Sequence, residues 1–394
     1  MMMGQTTGQL TVRDLTTQDM DAAFDVRCRS FGPLNPTMRG WWNEAQQESI
    51  SEHRAIGVFA GERLLAHAKV RSYQQFWGGR PMPMGGVAGV VVEPDARGRG
   101  VGSLLMAAVA QRSLELGDLV SALYPATIPL YRSLGWEVVG AQYRIAVSAE
   151  ALRTLGGREV SLRAATGSDV GQFLRSLHDR YAAQRSNGPK LPTESEAREQ
   201  LTDDGMISYL TEGGHVSYEW QENDLVVSYI SADTPEVSRA LWSVVGSGSS
   251  IVRKIVAYVA PDDPIHLLLP EEVAHETYLR RWMLRLLDVP KAIAARGFSP
   301  AVTGSAAVAL DDPLLPGNSG SWTLKVSGGR AELIPADVTN VSLQLGPNGF
   351  AALYAGTPVH RLRSAGLASG GEPAADELLD AAFAGSPAYL LEYF

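Results

Sequence analysis

Val90-Val91-Val92-Glu93-Pro94-Asp95-Ala96-Arg97-Gly98-Arg99-Gly100-Val101-Gly102-Ser103-Leu104-Leu105-Met106 is the stretch whose reading decides the fold. Val90 to Val92 is an unbroken branched apolar run, as in a buried strand, and Pro94, which has no N–H for a ladder, ends it. From Val101 the apolar positions Val101, Leu104, Leu105, Ala108 and Val109 recur at helical spacing. Between strand and helix, three glycines and two arginines fall at a predicted helix N-terminus. Glycine lets main-chain N–H groups come close to a ligand, and the helix end adds partial positive charge. Such a turn is a cradle for pyrophosphate, and Arg97 and Arg99 add charge to it.

Other readings of the loop fit less well. A structural turn explains the glycines but neither the arginines nor the strand-to-helix setting. A dinucleotide fingerprint needs Gly-x-Gly-x-x-Gly; counted from Gly98, the third position is Ser103, and the acidic candidate Asp118 precedes the next strand instead of ending it. The phosphate loop of nucleotide hydrolases needs a Gly-Lys-Ser/Thr ending, which is missing here. Residues 119–124 form the next predicted strand, followed by Pro129-Leu130-Tyr131-Arg132-Ser133-Leu134-Gly135-Trp136. Tyr131 reads either as a core aromatic at a helix end or as a proton donor.

The layout of residues 10–32 (strand, turn, amphipathic helix) returns at 160–184. Arg13 and Asp19 are matched by Arg163 and Asp169, 150 positions on. Strand–turn–strand patterns follow in both copies, at 57–73 around Gly61-Glu62-Arg63 and at 215–231 around Glu222-Asn223-Asp224. One α/β unit used twice is the economical explanation. The second copy has Thr234-Pro235-Glu236 where the first has its cradle, so it is expected to bind no cofactor. A third region opens with a predicted strand at 282–289 and a helix at 290–296 that has Pro290 in its first turn. Period-two strands are expected at 322–326 and 341–345, helices at 348–355 and 374–383. The expected architecture is α+β, with domains at 1–140, 141–282 and 283–394. The chain ends on the apolar Ala388-Tyr389-Leu390-Leu391-Glu392-Tyr393-Phe394. Leaving such a segment in water costs about 1.5–3 kcal/mol for each large apolar side chain. It is therefore expected to dock, with Tyr393 or Phe394 packed in the first domain.

The composition agrees with this reading. The chain has 394 residues, 45% hydrophobic and 20% charged, as in a multidomain globular protein. Its net charge of −9 argues against a nucleic-acid partner, which calls for a basic stripe, and is compatible with a cationic substrate. No apolar run is long enough to cross a bilayer, so no membrane partner is expected. Residues 1–7 lack the basic and apolar parts of a secretory signal, which makes a cytoplasmic location the expectation. Cys28 is the single cysteine, expected in the core. The scattered histidines suggest no metal site. Trp41 and Trp42 follow the first helix and are candidates either for stacking on an acceptor or for the core.

Val-x-Val-x-Pro-x-x-Arg-Gly-x-Gly-x-Gly, from Val90 to Gly102, resembles the cofactor motif of the GCN5-related N-acetyltransferases (GNAT). The Tyr131 segment is similar to that family's closing motif. Two such α/β domains, the second degenerate, followed by a sterol-carrier-protein-like domain, resemble the Eis (enhanced intracellular survival) acetyltransferases of actinobacteria. Leu286-Leu287-Asp288-Val289, Ala294-Ala295-Arg296 and the aromatic last residue carry the same resemblance. It implies acetyl-CoA as cosubstrate, held by Val90, Val91 and Val92, by Gly98, Gly100, Val101, Gly102 and Ser103 together with Arg97 and Arg99, and by Ala126 and Thr127. It implies Tyr131 as proton donor and the carboxylate of Phe394 as base. A main-chain N–H near Val92 is the candidate for stabilising the oxyanion. The resemblance also implies a small-molecule amine acceptor (an aminoglycoside, a polyamine or a lysine) and a homo-hexamer. Pro125-Ala126-Thr127 replaces small polar residues of the family, which bears on substrate range. The rival from another class is a binding protein that uses the sterol-carrier-like domain.

Overall fold

The computed structural model describes residues 10–222, 224–271, 274–337 and 342–394. The readings of residues 1–7, of Asn223 in its turn and of Val341 in its strand lie outside them.

In the first unit, β1 (Leu10–Asp14), β2 (Ala55–Ala60), β3 (Arg63–Trp77) and β4 (Arg80–Val92) pair antiparallel in sequence order. Helices α1 (Met20–Phe31) and α2 (Pro36–Ser51) cover one face of this meander. There Ala23 and Val26 pack with Leu15, Phe59, Leu64 and Val91. α3 (Val101–Glu115) covers the other face, where Val101, Leu105, Met106 and Val109 meet Val58, Ala66, Ala68, Val70 and Val87. Leu104, read in the sequence as part of that apolar face, is 37% exposed, and Met106 and Ala110 complete the face instead. β5 (Val120–Leu123), α4 (Ile128–Arg132) and β6 (Glu137–Ser148) follow. Asp118 lies in the core, where its carboxylate accepts from Arg54 at 2.8 and 3.2 Å. Cys28, expected in the core, is half-buried on α1.

The second unit repeats the plan. α5 (Ala149–Arg153), β7 (Arg163–Ala164), α6 (Val170–Ala183), β8 (Lys190–Leu191) and α7 (Glu194–Thr202) lead into β9 (Met206–Thr211), β10 (Gly214–Gln221) and β11 (Asp224–Ala232). α8 (Pro235–Gly246), β12 (Lys254–Val259), α9 (Ile265–Leu268) and β13 (Ala274–Leu286) complete it. The repeat holds at the level of single hydrogen bonds. Arg13 grips Asp19 at 2.8 and 2.9 Å, and Arg163 grips Asp169 at 2.9 and 2.7 Å. Both carboxylates also accept the N–H of a threonine three residues earlier, Thr16 or Thr166, at 2.8 Å. These bonds stabilise the ionised form, and the arginine holds Asp19 down at about 2.

Both units share one sheet, in the order β1-β2-β3-β4-β5-β13-β6-β12-β11-β10-β9-β7 among the described residues, with β8 beside β3. β13 is the seam. Met283 pairs with Leu123 of β5 on one side and with Val138 of β6 on the other. Residues 282–286, read in the sequence as opening the third region, thus complete the large sheet, and Val289 already starts α10 (Val289–Ala295).

A separate sheet of β14 (Gly304–Leu310), β15 (Gly320–Ser327), β16 (Arg330–Pro335), β17 (Leu343–Leu345) and β18 (Ala368–Gly370) forms the third unit, in the order β16-β15-β14-β17-β18. Helices α11 (Pro347–Tyr354), α12 (Val359–Ser364) and α13 (Pro373–Phe383) belong to it. Its interior is filled by Leu310, Leu324, Leu343, Phe350 and Phe383, continuous with Met84, Ala122 and Leu284 of the large sheet. From α13 the chain returns along β6. Leu390 N–H donates to the Ala141 carbonyl at 3.3 Å, and Gln142 Nε2 donates to the Leu391 carbonyl at 2.7 Å. The last residues therefore run between the two related units.

Candidate active site

β4 and β5 run parallel and pair only where residues 84–87 meet 120–123. Beyond Leu123 the chain enters Tyr124-Pro125, and Pro125 has no N–H to extend the ladder. On its other edge β4 stays with β3, but Gly89 and Val90 together stand opposite the single residue Ala68. Gly89 has φ +61° there, a conformation glycine adopts without steric cost. Such a bulge bends its strand and leaves one residue outside the ladder. The two strands separate, and a cavity of about 360 Å³ opens between Val87, Ala88, Gly89 and Val90 on one wall and Leu123, Tyr124, Pro125 and Ala126 on the other.

The cradle lies at the end of β4. Glu93, 3% exposed, is anchored to α1 by Arg29 through contacts of 3.0, 3.0 and 2.6 Å. Arg97 Nε donates to the Val92 carbonyl at 3.2 Å. Gly98 and Gly100 have φ +72° and +80°, and Arg97 to Gly100 are exposed. α3 starts from Gly100 without any side-chain cap and with no acid in its first turn. Its first N–H groups therefore have no partner within the helix. Free N–H groups, positive φ at two glycines and two exposed guanidiniums fit a pyrophosphate in charge and in shape.

Tyr131 lies in the same cavity and is 4% exposed. Burial pushes its phenol above the usual range, and neighbouring Tyr393 adds to the effect. Its segment is held from outside: Asn348 of the third unit donates to the carbonyls of Arg132 and Trp136 at 3.1 and 2.9 Å. The chain end closes the cavity. Phe394 is 9% exposed, whereas Tyr393 is 61% exposed. The Phe394 ring stands 5.5 Å from that of Tyr73 and 5.6 Å from that of Tyr124. A Cβ on Gly86 would lie 2.9 Å from both the Phe394 and Tyr73 rings, so only glycine admits this packing. Tyr124 Oη donates to the Glu392 carbonyl at 2.8 Å.

Of the residues singled out in the sequence, Val90, Ala126, Tyr131 and Phe394 line this one cavity. Arg97, Gly98, Arg99, Gly100, Gly102 and Ser103 form the turn and first helical turn that follow β4 and are not part of the cavity lining. Thr127 sits at the start of α4. Val91 points away, into the core under α1, Val101 is buried under α3, and Val92 packs toward that same core. Trp41 is 56% exposed, and Trp42 packs edge-on against Phe24 at 5.2 Å; neither lines the cavity. Sequence reasoning missed the Gly89 bulge, Tyr124, and Tyr278, Arg280 and Arg281 of β13, all of which line it. The β13 residues carry no local signal, because only the inserted strand brings them there.

The second unit differs at the decisive point. α8 starts from Thr234, whose side chain accepts the Val237 N–H at 3.3 Å, and Glu236 lies in its first turn. The positive end of this helix is already occupied by the chain's own oxygens.

A cavity with a buried phenol, beside a strand left open at one edge and ending in an anion cradle, suits acyl transfer from a coenzyme A thioester. The class so defined is an acyltransferase. Residues 11–139 match the family described as an acetyltransferase (GNAT) domain, residues 186–286 a second family of that description, and residues 289–391 a sterol carrier protein domain. The crystal structure of a GCN5-related N-acetyltransferase from Kribbella flavida is 46% identical, covers 98% of this chain and 98% of its own, and superposes with a TM-score of 0.95. A curated relative in Streptomyces griseus, described as an uncharacterized N-acetyltransferase, is 29% identical over 84% of this chain and 86% of its own. Eis1 from Mycobacterium abscessus, 21% identical over 98% of this chain and 100% of its own, shares the fold with a TM-score of 0.79. The chain belongs to the GCN5-related N-acetyltransferases, and its GNAT domain uses acetyl-CoA as cosubstrate. No helix among the described residues is long and apolar enough to cross a membrane.

Proposed function

We propose that the first domain moves the acetyl group of acetyl-CoA to a primary amine of an aminoglycoside-like, polyamine or lysine acceptor. One observation carries the reading: a single cavity holds the open edge of β4, the Tyr131 phenol and the last residue of the chain. Arg97, Arg99 and the N–H groups from Gly98 to Ser103 hold the pyrophosphate, with Ala126 and Thr127 on the facing loop. The open edge at 90–92 orients the rest of the cosubstrate. A main-chain N–H at this open edge, near Val92 or at the Gly89-Val90 bulge in the cavity wall, stabilises the oxyanion. The Phe394 carboxylate accepts the proton of the attacking amine, directly or through a water, and the Tyr131 hydroxyl gives its proton to the departing thiolate. Protein groups carry every step, and no metal is called upon.

Two features support a cationic acceptor. The net charge is −9. A cavity of about 300 Å³ adjoining the chain end is lined by Glu196, Glu199, Asp203, Glu219 and Glu392 against Lys190 alone. A domain boundary near 140, a second one moved from 282 to the end of β13, a cytoplasmic location and a homo-hexamer belong to the same proposal. Exposure of Ile251 at 75% and Leu267 at 89% supports assembly, which light scattering reads directly. A panel of aminoglycosides, spermidine and a lysine peptide, followed by thiol release from acetyl-CoA, tests the reaction. Amine-dependent thiol release is expected with at least one of them. Thiol release no faster with any amine than without would overturn the proposal.

A further inference from the structure

Residues 186–191 of the second unit are stitched to the first unit on one side and to the chain end on the other. β8 pairs with Gln74 and Gln75 of β3, and the Gly188 N–H donates to the Phe76 carbonyl at 2.7 Å. Toward the chain end, the Asn187 carbonyl accepts the Tyr389 N–H at 3.0 Å, and Asn187 Nδ2 donates to the Ser386 carbonyl at 2.9 Å. Gly188, at φ +97°, lies so close that a Cβ there would stand 2.6 Å from the Tyr389 carbonyl oxygen.

Lys190 is the charged centre of this segment and is 2% exposed. Its Nζ lies 3.3 Å from Glu196 Oε2 and 4.0 Å from Glu392 Oε1, and 4.2 Å above the Tyr73 ring. The other carboxylate, Glu196, also accepts from Tyr73 Oη at 2.8 Å and is paired with Arg71 at 3.0 Å. Glu392 accepts from Tyr229 at Oε1, while its Oε2 is buried with no hydrogen-bond partner among the described residues. Lys190 is thus paired, at 4.0 Å, with a half-buried carboxylate two residues from the chain end. Through Tyr73 it also backs the ring of Phe394.

We infer that residues 186–191 are a clasp that sets the position of the terminal carboxylate, with Lys190 as its positioning residue. The inference rests on the reading of Phe394 as the base. It assigns a task to the second GNAT unit, whose helix N-terminus is closed to cosubstrate. Stability alone does not call for this arrangement, because well-packed apolar side chains commonly match a buried ion pair in stability. A fixed charge pair adds direction. A shift of about 1 Å at a reacting group costs about 10²-fold in rate.

The test breaks the pair from each side in the full-length chain. Lys190→Met and Glu392→Gln should each lower kcat, by up to about 10²-fold, with the acetyl-CoA KM and calorimetric affinity unchanged and the C-terminus trimmed faster by carboxypeptidase. The double variant should be no slower than the slower single one, because both remove the same interaction. Glu392→Gln keeps an acceptor for Tyr229 and buries no new charge, so it remains informative if Lys190→Met does not fold. A chain extended by a few residues after Phe394 is assayed in parallel and tests the base itself. An inactive extended chain beside a Glu392→Gln variant of normal kcat overturns the clasp alone. A fully active extended chain overturns the base assignment, and the clasp with it.

Discussion

Tyr131 is held in place by groups that never enter the cavity. Asn348 fixes the carbonyls on either side of its turn, and Gly135, at φ +91°, leaves room for Arg285, whose Nη1 a Cβ there would approach to 2.6 Å. Replacing Tyr131 by Phe removes only the hydroxyl. Folding and cosubstrate affinity should survive while kcat falls by about 10²–10⁴-fold; near-normal turnover in the folded variant would return Tyr131 to a packing role. Gly86 makes a second prediction at this scale. Gly86→Ala forces a methyl against the Phe394 and Tyr73 rings, so stability should fall by about 1–3 kcal/mol, read as a lower midpoint in urea, and kcat should fall with it. Tyr131 was legible in the sequence because its motif is local. Gly86 was not, because the ring that requires it lies at the other end of the chain.

α3 and α8 occupy equivalent places in the two units and differ at their first turns. α3 starts from Gly100 with no side-chain cap, whereas α8 is capped by Thr234 and carries Glu236. Exposed arginines act through charge that salt screens. Arg97→Ala/Arg99→Ala should therefore weaken acetyl-CoA binding, with the larger loss at low ionic strength; an unchanged calorimetric affinity would remove both from the cradle. The strand Val90 to Val92, the proline stop, the glycine turn and the helix were all readable, because each depends on near neighbours in sequence. The Gly89 bulge and the insertion of β13 between β5 and β6 were not. Both depend on register between strands, which residue periodicity leaves open. The error at Leu104 is of the same kind: the spacing gave the helix, while tertiary packing turned its buried face by one position.

At the scale of the whole chain, the two GNAT units, the sterol-carrier unit and the returning terminus form one continuous structure. Burial holds His67 down at about 4 and His215 at about 3, both below the unfolded value of about 6.5. For a group whose folded pKa is depressed, stability is fully present above the unfolded pKa. It is lost as the pH falls from about 6.5 toward about 4, where unfolded chains bind protons that folded chains refuse. The melting temperature should drop across that window, before the carboxylates held low by Arg13 and Arg163 begin to titrate; a flat profile would contradict neutral burial of both histidines. The order of the units was legible from the repeat of Arg13 and Asp19 at Arg163 and Asp169. Their fusion into a single sheet was not, since the seam strand reads like the start of a new region.

One cosubstrate site per chain, at the head of α3, is the central claim. Calorimetric titration of acetyl-CoA into the intact chain tests it most directly. The account predicts saturation at one molecule per chain. Saturation at two would show that the second unit also binds, and no binding at all would remove the cradle from the first.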